Sequence, residues 1–160
     1  MLVTMKEILD RAKKDNYGVT SIMVDRSSLS YEDNIAQTKE TVKMCRPLNI
    51  SVEAELGHVG QSEDYSSDGS DHFTKPEEVK KFVEETGIDC LAVAIGTAHG
   101  RYHGTPHIDF DLLKQITDVV DIPLVLHGGS GIPADQIAKA ISLGVSKINV
   151  NTECQLSFAD

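Results

Sequence analysis

Two histidines carry the strongest chemical signal in the sequence: His99 and His127 each follow a short apolar run and each precede a glycine. Neutral imidazole is the commonest metal ligand. Two imidazoles delivered from successive strands leave further positions for carboxylate, water or substrate, as a catalytic zinc site requires. Such a site usually takes three protein ligands, whereas either histidine alone would more often be a hydrogen-bonded structural residue; their matched positions favour a joint role. Glu53 and Glu55 alternate with Val52, Ala54 and Leu56, so the two acids share one strand face. Glu55 lies nearer the strand end and is the better candidate for the site; Glu53 reads as a buried, hydrogen-bonded carboxylate. His58, His72, His103 and His107 fall in or beside polar loops and read as solvated.

A second signal follows His127 directly. His127-Gly128-Gly129-Ser130-Gly131 leads from a strand into a helix, and so side-chain-poor a backbone can turn N–H groups toward a phosphate. A plain tight turn is the alternative. Asn151-Thr152, after the next strand, could supply a second wall, because barrel phosphate sites often use the loops after the last two strands. Glu63-Asp64 lies in a long polar loop, Gly57 to Thr74, where a carboxylate could fold over the site and take a proton from carbon.

The elements that must position these residues can be read from period and caps. Met5, Ile8, Leu9 and Ala12 recur at helical spacing behind Thr4-x-x-Glu7, with Gly18 as the stop. Strands are expected at Ser21 to Asp25, Ser51 to Leu56, Cys90 to Ile95, Ile122 to Leu126 and Ser146 to Val150. Between them lie a helix capped by Ser30 and running to about Cys45, one opened by Thr74-x-Pro76-Glu77 and closed by Gly87, one capped by Asp109, and one from Pro133 through Ile137 and Ile141 to Gly144. This alternation predicts parallel βα units. Length alone would suit a five-stranded flavodoxin-like sheet. The polar residues instead gather at the C-terminal ends of all five strands, at Asp25, Glu55, Gly96 to Gly100, His127 and Asn149 to Thr152, where a barrel collects its active site at one mouth. The expectation is an α/β fold, a partial TIM (β/α)8 barrel forming one incomplete domain over residues 1–160.

Composition narrows the partners. Fifteen Lys and Arg against twenty-five Asp and Glu give a net charge of −10, a field that repels polyphosphate backbones, so no nucleic acid is expected. No apolar run approaches the roughly 20 residues of a bilayer-spanning helix, so no membrane is expected either. Cys45, Cys90 and Cys154 are odd in number, far apart and without CxxC spacing, which suits a reducing cytoplasm. Met1 to Asp15 carries charges throughout and lacks the apolar stretch of a secretory signal.

The assembled motifs Val52-Glu53-Ala54-Glu55-Leu56-Gly57, Ala94-Ile95-Gly96-Thr97-Ala98-His99-Gly100, Leu124-Val125-Leu126-His127-Gly128-Gly129-Ser130-Gly131 and Lys147-Ile148-Asn149-Val150-Asn151-Thr152-Glu153 resemble, in order, those of the class II, zinc-dependent ketose-bisphosphate aldolases. Glu63-Asp64 and Ile108-Asp109-Phe110 resemble the tagatose-bisphosphate branch more than the fructose-bisphosphate branch. The resemblance implies reversible aldol cleavage of a ketose 1,6-bisphosphate, tagatose or fructose, to dihydroxyacetone phosphate and glyceraldehyde 3-phosphate. It implies zinc on His99 and His127, with Asp25 and Glu55 near the metal and able to hold an alternative position, and room for a monovalent cation. It would place Gly100, Gly128, Ser130, Asn151 and Thr152 around the substrate phosphate, Asn149 on the substrate hydroxyl and carbonyl, and Glu63 on its carbon-bound proton. Zinc acting as a Lewis acid makes a lysine Schiff base unnecessary.

The chain departs from the family's pattern in defined places. Met1 to Val19 resembles the family's first helix and Thr20 onward its fourth strand, so an internal deletion of three strands and a C-terminal truncation are expected. The missing part includes a His-Leu-Asp-His segment that in the family supplies one zinc-ligating histidine and the acid/base aspartate. Gly60-Gln61 alters a usual Gly-Gly, and His58 stands where a basic or small residue is usual. Two ligands in place of three should weaken zinc, and loss of the acid/base costs typically about 10²–10⁴-fold in rate. Impaired activity is therefore expected; the alternatives are a non-catalytic binding or stabilising subunit on the same scaffold and an internally deleted gene product. Open sheet edges imply a homo-oligomer or a partner chain covering them.

Overall fold

Short apolar runs separated by capped amphipathic helices leave one economical arrangement, strands paired side by side with every helix crossing over the same face. In the computed structural model five strands, β1 (Ser21–Val24), β2 (Ser51–Leu56), β3 (Cys90–Val93), β4 (Leu124–Leu126) and β5 (Val145–Ile148), form one sheet in chain order, each neighbour parallel. Helices α1 (Tyr31–Cys45), α2 (Pro76–Thr86), α3 (Phe110–Thr117) and α4 (Ala134–Ser142) link them, and α5 (Thr152–Ala159) follows β5. The structure describes residues 7, 9, 10, 18–60, 72–102, 104 and 106–159. Of the first expected helix only Glu7, Leu9 and Asp10 are described; they are helical, and Leu9 is buried in the core.

The sequential strand order excludes the flavodoxin arrangement, in which the chain reverses direction across the sheet and covers both faces. Here α1 packs beside α2 and α2 beside α3, so these helices line one face. The opposite face is concave. Glu53 on β2 and Lys147 on β5 are separated by two intervening strands, roughly 14 Å in a flat sheet at the usual strand spacing. Their side chains nevertheless meet, Lys147 Nζ lying 2.5 Å from Glu53 Oε2. Only a sheet curling toward closure brings them together, and the result is a partial TIM barrel with a polar interior and an apolar layer beneath the helices.

The local signals explain the helices. Ser30 Oγ accepts from Asp33 N at 3.2 Å to cap α1, whose buried stripe runs Ile35, Thr38, Val42, Cys45. Pro76 starts α2, which buries Val79, Phe82 and Thr86 and ends at Gly87 in the left-handed conformation. Asp109 accepts from Leu112 N at 2.9 Å to cap α3, burying Leu113 and Ile116. Some details differ from the sequence reading: β1 ends at Val24 rather than Asp25, β4 starts at Leu124 rather than Ile122, and β5 spans Val145–Ile148 rather than Ser146 to Val150. The N-cap of α2 is Lys75, because Thr74 is used elsewhere: its hydroxyl donates to Leu56 O at 2.5 Å and accepts from Ala94 N at 2.8 Å, joining the exits of β2 and β3. That contact takes Ala94 out of the ladder, so β3 stops at Val93 rather than Ile95. Ile141 of α4 is 53% exposed, and Ala140 is the residue that packs inward.

Candidate metal centre

The concave side of β2 sets the first half of the site. Alternation sends Val52, Ala54 and Leu56 to the helix layer and Glu53 and Glu55 inward, where they are 2% and 1% exposed. The second half comes from β4, whose last residue, Leu126, delivers His127 into the same interior. His127 Nε2 lies 2.8 Å from Glu53 Oε1, and His127 Nδ1 lies 3.1 Å from Glu55 Oε2. One buried imidazole is thus bracketed by two carboxylates from one strand.

His99 approaches from the segment after β3, its backbone N–H donating to Gly60 O at 2.9 Å. The rings of His99 and His127 lie 5.7 Å apart between centroids. Gly128 makes this approach feasible: it adopts φ +67°, and a Cβ there would sit 2.2 Å from Ala98 O. Tyr102 fastens the two loops, its hydroxyl accepting from Ala98 N at 2.7 Å and donating to Gly128 O at 2.9 Å. Together these constraints bring one donor atom each from Glu55, His99 and His127 within 4.8 Å of one another.

The electrostatics suit a metal. Burial pulls the His127 imidazole down, but hydrogen bonds to Glu53 and Glu55 outweigh it and push its pKa up to about 9. Burial holds His99 below the ordinary histidine range, with His127 adding to the effect and Glu55 and Asp25 opposing it. Burial also penalises the Glu53 carboxylate, yet the hydrogen bonds from His127 and Lys147 prevail and keep it below the usual carboxylate range. The His127 proton facing Glu55 stands where a cation would bind, while Nε2–H remains on Glu53, the carboxylate–histidine arrangement that orients a ligating imidazole. A divalent ion of zinc's preferences fits a His2Glu set.

The expected residues mostly converge. Asp25, Glu55, His99, Gly100, His127, Gly128, Ser130, Asn149, Asn151 and Thr152 all line one cleft of about 560 Å³ at the C-terminal ends of the strands. Asp25 lies on its wall but outside the donor cluster, its Oδ1 accepting from Ser27 N at 2.9 Å and Ser27 Oγ at 2.7 Å. Glu55, expected near the metal, stands with His99 and His127 in the donor cluster. Glu63, Asp64 and His103 lie outside the described residues. His107 is exposed, as expected of a solvated loop residue, but His58 is engaged: its Nδ1 lies 2.8 Å from Ser27 Oγ, which also stands 3.0 Å from Glu55 Oε1. On the far wall the glycine turn meets the start of α5, where Glu153 N donates to Ser130 Oγ at 3.3 Å and Gly131 N to Glu153 Oε1 at 3.1 Å.

Sequence reasoning missed Met23 and Gln155 on the cleft wall, and missed Lys147 and Tyr102 behind it. Lys147 could have been found by the period-two step from Asn149. Tyr102 carries no comparable signal.

Comparisons with known proteins bear on the same residues. The profile of the family described as fructose-bisphosphate aldolase class-II matches residues 3–160. Among solved structures, the YdjI aldolase of Escherichia coli K12 is 45% identical with a TM-score of 0.79, the match covering 96% of this chain and 53% of that one. A fructose-bisphosphate aldolase of Campylobacter jejuni is 30% identical with a TM-score of 0.77, covering 99% of this chain and 50% of that one. The chain therefore spans about half the length of these relatives.

Proposed function

Because the chain belongs to the class II fructose-bisphosphate aldolase family, we propose that it acts in the zinc-dependent, reversible aldol cleavage of a ketose 1,6-bisphosphate, tagatose or fructose, to dihydroxyacetone phosphate and glyceraldehyde 3-phosphate, with low turnover from these 160 residues alone. The observation that carries this reading is the convergence of Glu55, His99 and His127 donors within 4.8 Å in a cleft walled by a glycine turn. His99, His127 and Glu55 would hold the ion, whose chemistry when bound is that of a Lewis acid toward the substrate carbonyl. Asp25, linked to the Glu55 side of the cleft through Ser27 Oγ, would offer the alternative carboxylate.

The remaining steps belong to the chain's own groups. Gly100, Gly128, Ser130, Asn151 and Thr152 would take the phosphate, the last at the first turn of α5, where the positive end of the helix dipole favours an anion. Asn149, at the exit of β5, would orient the substrate's hydroxyl and carbonyl, and Glu63 would move the proton on carbon. No residue in the sequence matches the family's acid/base aspartate, which is the reason for low turnover. A phosphorylated sugar and three free cysteines suit a cytoplasmic setting. No helix of the described residues is long and apolar enough to cross a membrane. The outer edges of β1 and β5 have no strand partner among the described residues, so a second copy or a partner chain would pair there.

The test joins metal content to a coupled assay on tagatose and fructose 1,6-bisphosphates, with His99→Ala and His127→Ala as controls. The expected outcome is close to one zinc per chain and slow cleavage that both substitutions abolish. Zinc below about a tenth of an equivalent with no turnover sinks the reading. Zinc and dihydroxyacetone phosphate binding without turnover would instead support the non-catalytic subunit.

A further inference from the structure

We propose that Lys147 is a positioning residue of the metal centre: it fixes the Glu53 carboxylate, which in turn fixes the ring of His127. The proposal rests on the functional reading above for its metal but on this chain's own geometry for the rest. Lys147 leaves β5 with its side chain 51% exposed and reaches across the concave face to β2, where its Nζ lies 2.5 Å from Glu53 Oε2. The other oxygen of the same carboxylate, Oε1, lies 2.8 Å from His127 Nε2.

A glutamate's terminal torsion is broad and roughly two-fold, so one hydrogen bond leaves the carboxylate free to swing. Glu53 Oε2 meets two groups, the ammonium of Lys147 and the thiol of Cys90 at 3.8 Å. A thiol is a weak donor, so the lysine sets the carboxylate plane. With that plane set, Oε1 holds Nε2 and the opposite nitrogen, Nδ1, faces Glu55 Oε2 at 3.1 Å, the residue that with His99 and His127 makes up the donor cluster. Without Lys147 the plane relaxes and Nδ1 loses its fixed aim.

An ordinary half-exposed ion pair would contribute little beyond stability, and little of that. The two roles separate experimentally. Lys147→Met keeps the length of the stem and removes the ammonium, Lys147→Gln removes it with a shorter, polar side chain, and Lys147→Arg restores a charged donor. In metal-free protein labelled with ¹⁵N-histidine, both neutral substitutions should move the His127 ring nitrogen signals, assigned through His127→Ala, and Lys147→Arg should return them toward the unmodified positions. Zinc affinity by chelator competition should fall about 10–100-fold in the neutral variants, the usual effect of losing an outer partner of a ligating histidine.

Should Lys147→Met not fold by far-ultraviolet circular dichroism, Lys147→Gln carries the same comparison. Unmoved His127 signals overturn the proposal, as does unchanged zinc affinity in a neutral variant of a chain that binds zinc. If the unmodified chain binds no zinc, the functional reading fails, and the His127 signals alone still decide the role of Lys147.

Discussion

At the scale of single residues, the site turns on an imidazole whose two nitrogens are both claimed by carboxylates. His127 is pushed up to about pKa 9 without a metal, so at neutral pH it carries a proton that an incoming ion must displace. His99, held below the ordinary range, has none to give. Zinc binding at pH 7 should therefore release about one proton, read by calorimetry in buffers of different ionisation enthalpy, and affinity should climb as pH rises toward 9. Binding enthalpies indifferent to the buffer would contradict this. Glu53→Gln keeps the shape of the side chain but not its charge, and should weaken zinc about 10–100-fold by chelator competition. That His99, His127 and Glu55 face one mouth at the strand ends was legible from type and spacing. The engagement of His58 was not, because the polar loop around it gives no hint that Ser27 stands opposite.

At the scale of elements, the site depends on how strand exits are tied to one another. Gly128 lies against Ala98 O in a left-handed conformation, so Gly128→Ala must push the two histidine loops apart. The cost should be about 2 kcal/mol or more, read from denaturant midpoints, with loss of zinc binding in the folded fraction. Thr74→Val removes both hydrogen bonds between the β2 and β3 exits and leaves Leu56 O and Ala94 N to be satisfied otherwise. A loss of about 1–3 kcal/mol is expected, lowering the melting temperature by several degrees. A melting temperature equal to that of the unmodified chain would show that the clamp is not needed. Ser30, Pro76, Gly87 and Asp109 announce their helix ends because capping chemistry is local. The early end of β3 and the clamp at Thr74 are not announced, because they depend on a partner twenty residues away.

For the whole molecule, metal-free stability should vary with pH in a way set by the buried cluster. His127, raised in the fold, contributes stability that is complete below the unfolded histidine value near 6.5 and is lost as pH climbs through about 9. His99, lowered in the fold, acts oppositely: protonation of the unfolded chain removes stability as pH falls below about 6.5. Glu53, also lowered, adds stability present above the ordinary carboxylate range and lost as acid reaches its folded value. The denaturant midpoint of the apo-protein should peak near pH 6.5 and decline on both sides. A midpoint still rising between pH 7 and 9 would remove the bracketed His127 from the account.

Periodicity, caps and the matched His-Gly steps determined, without coordinates, that parallel βα units deliver polar residues to one end, since those signals depend only on neighbouring residues. Tertiary structure decided that the sheet curls in chain order, that Glu55 joins His99 and His127 as a third donor, and that Lys147 reaches Glu53 across two strands. These outcomes follow from curvature and from contacts between residues far apart in the chain, and neither is encoded in any local stretch of it.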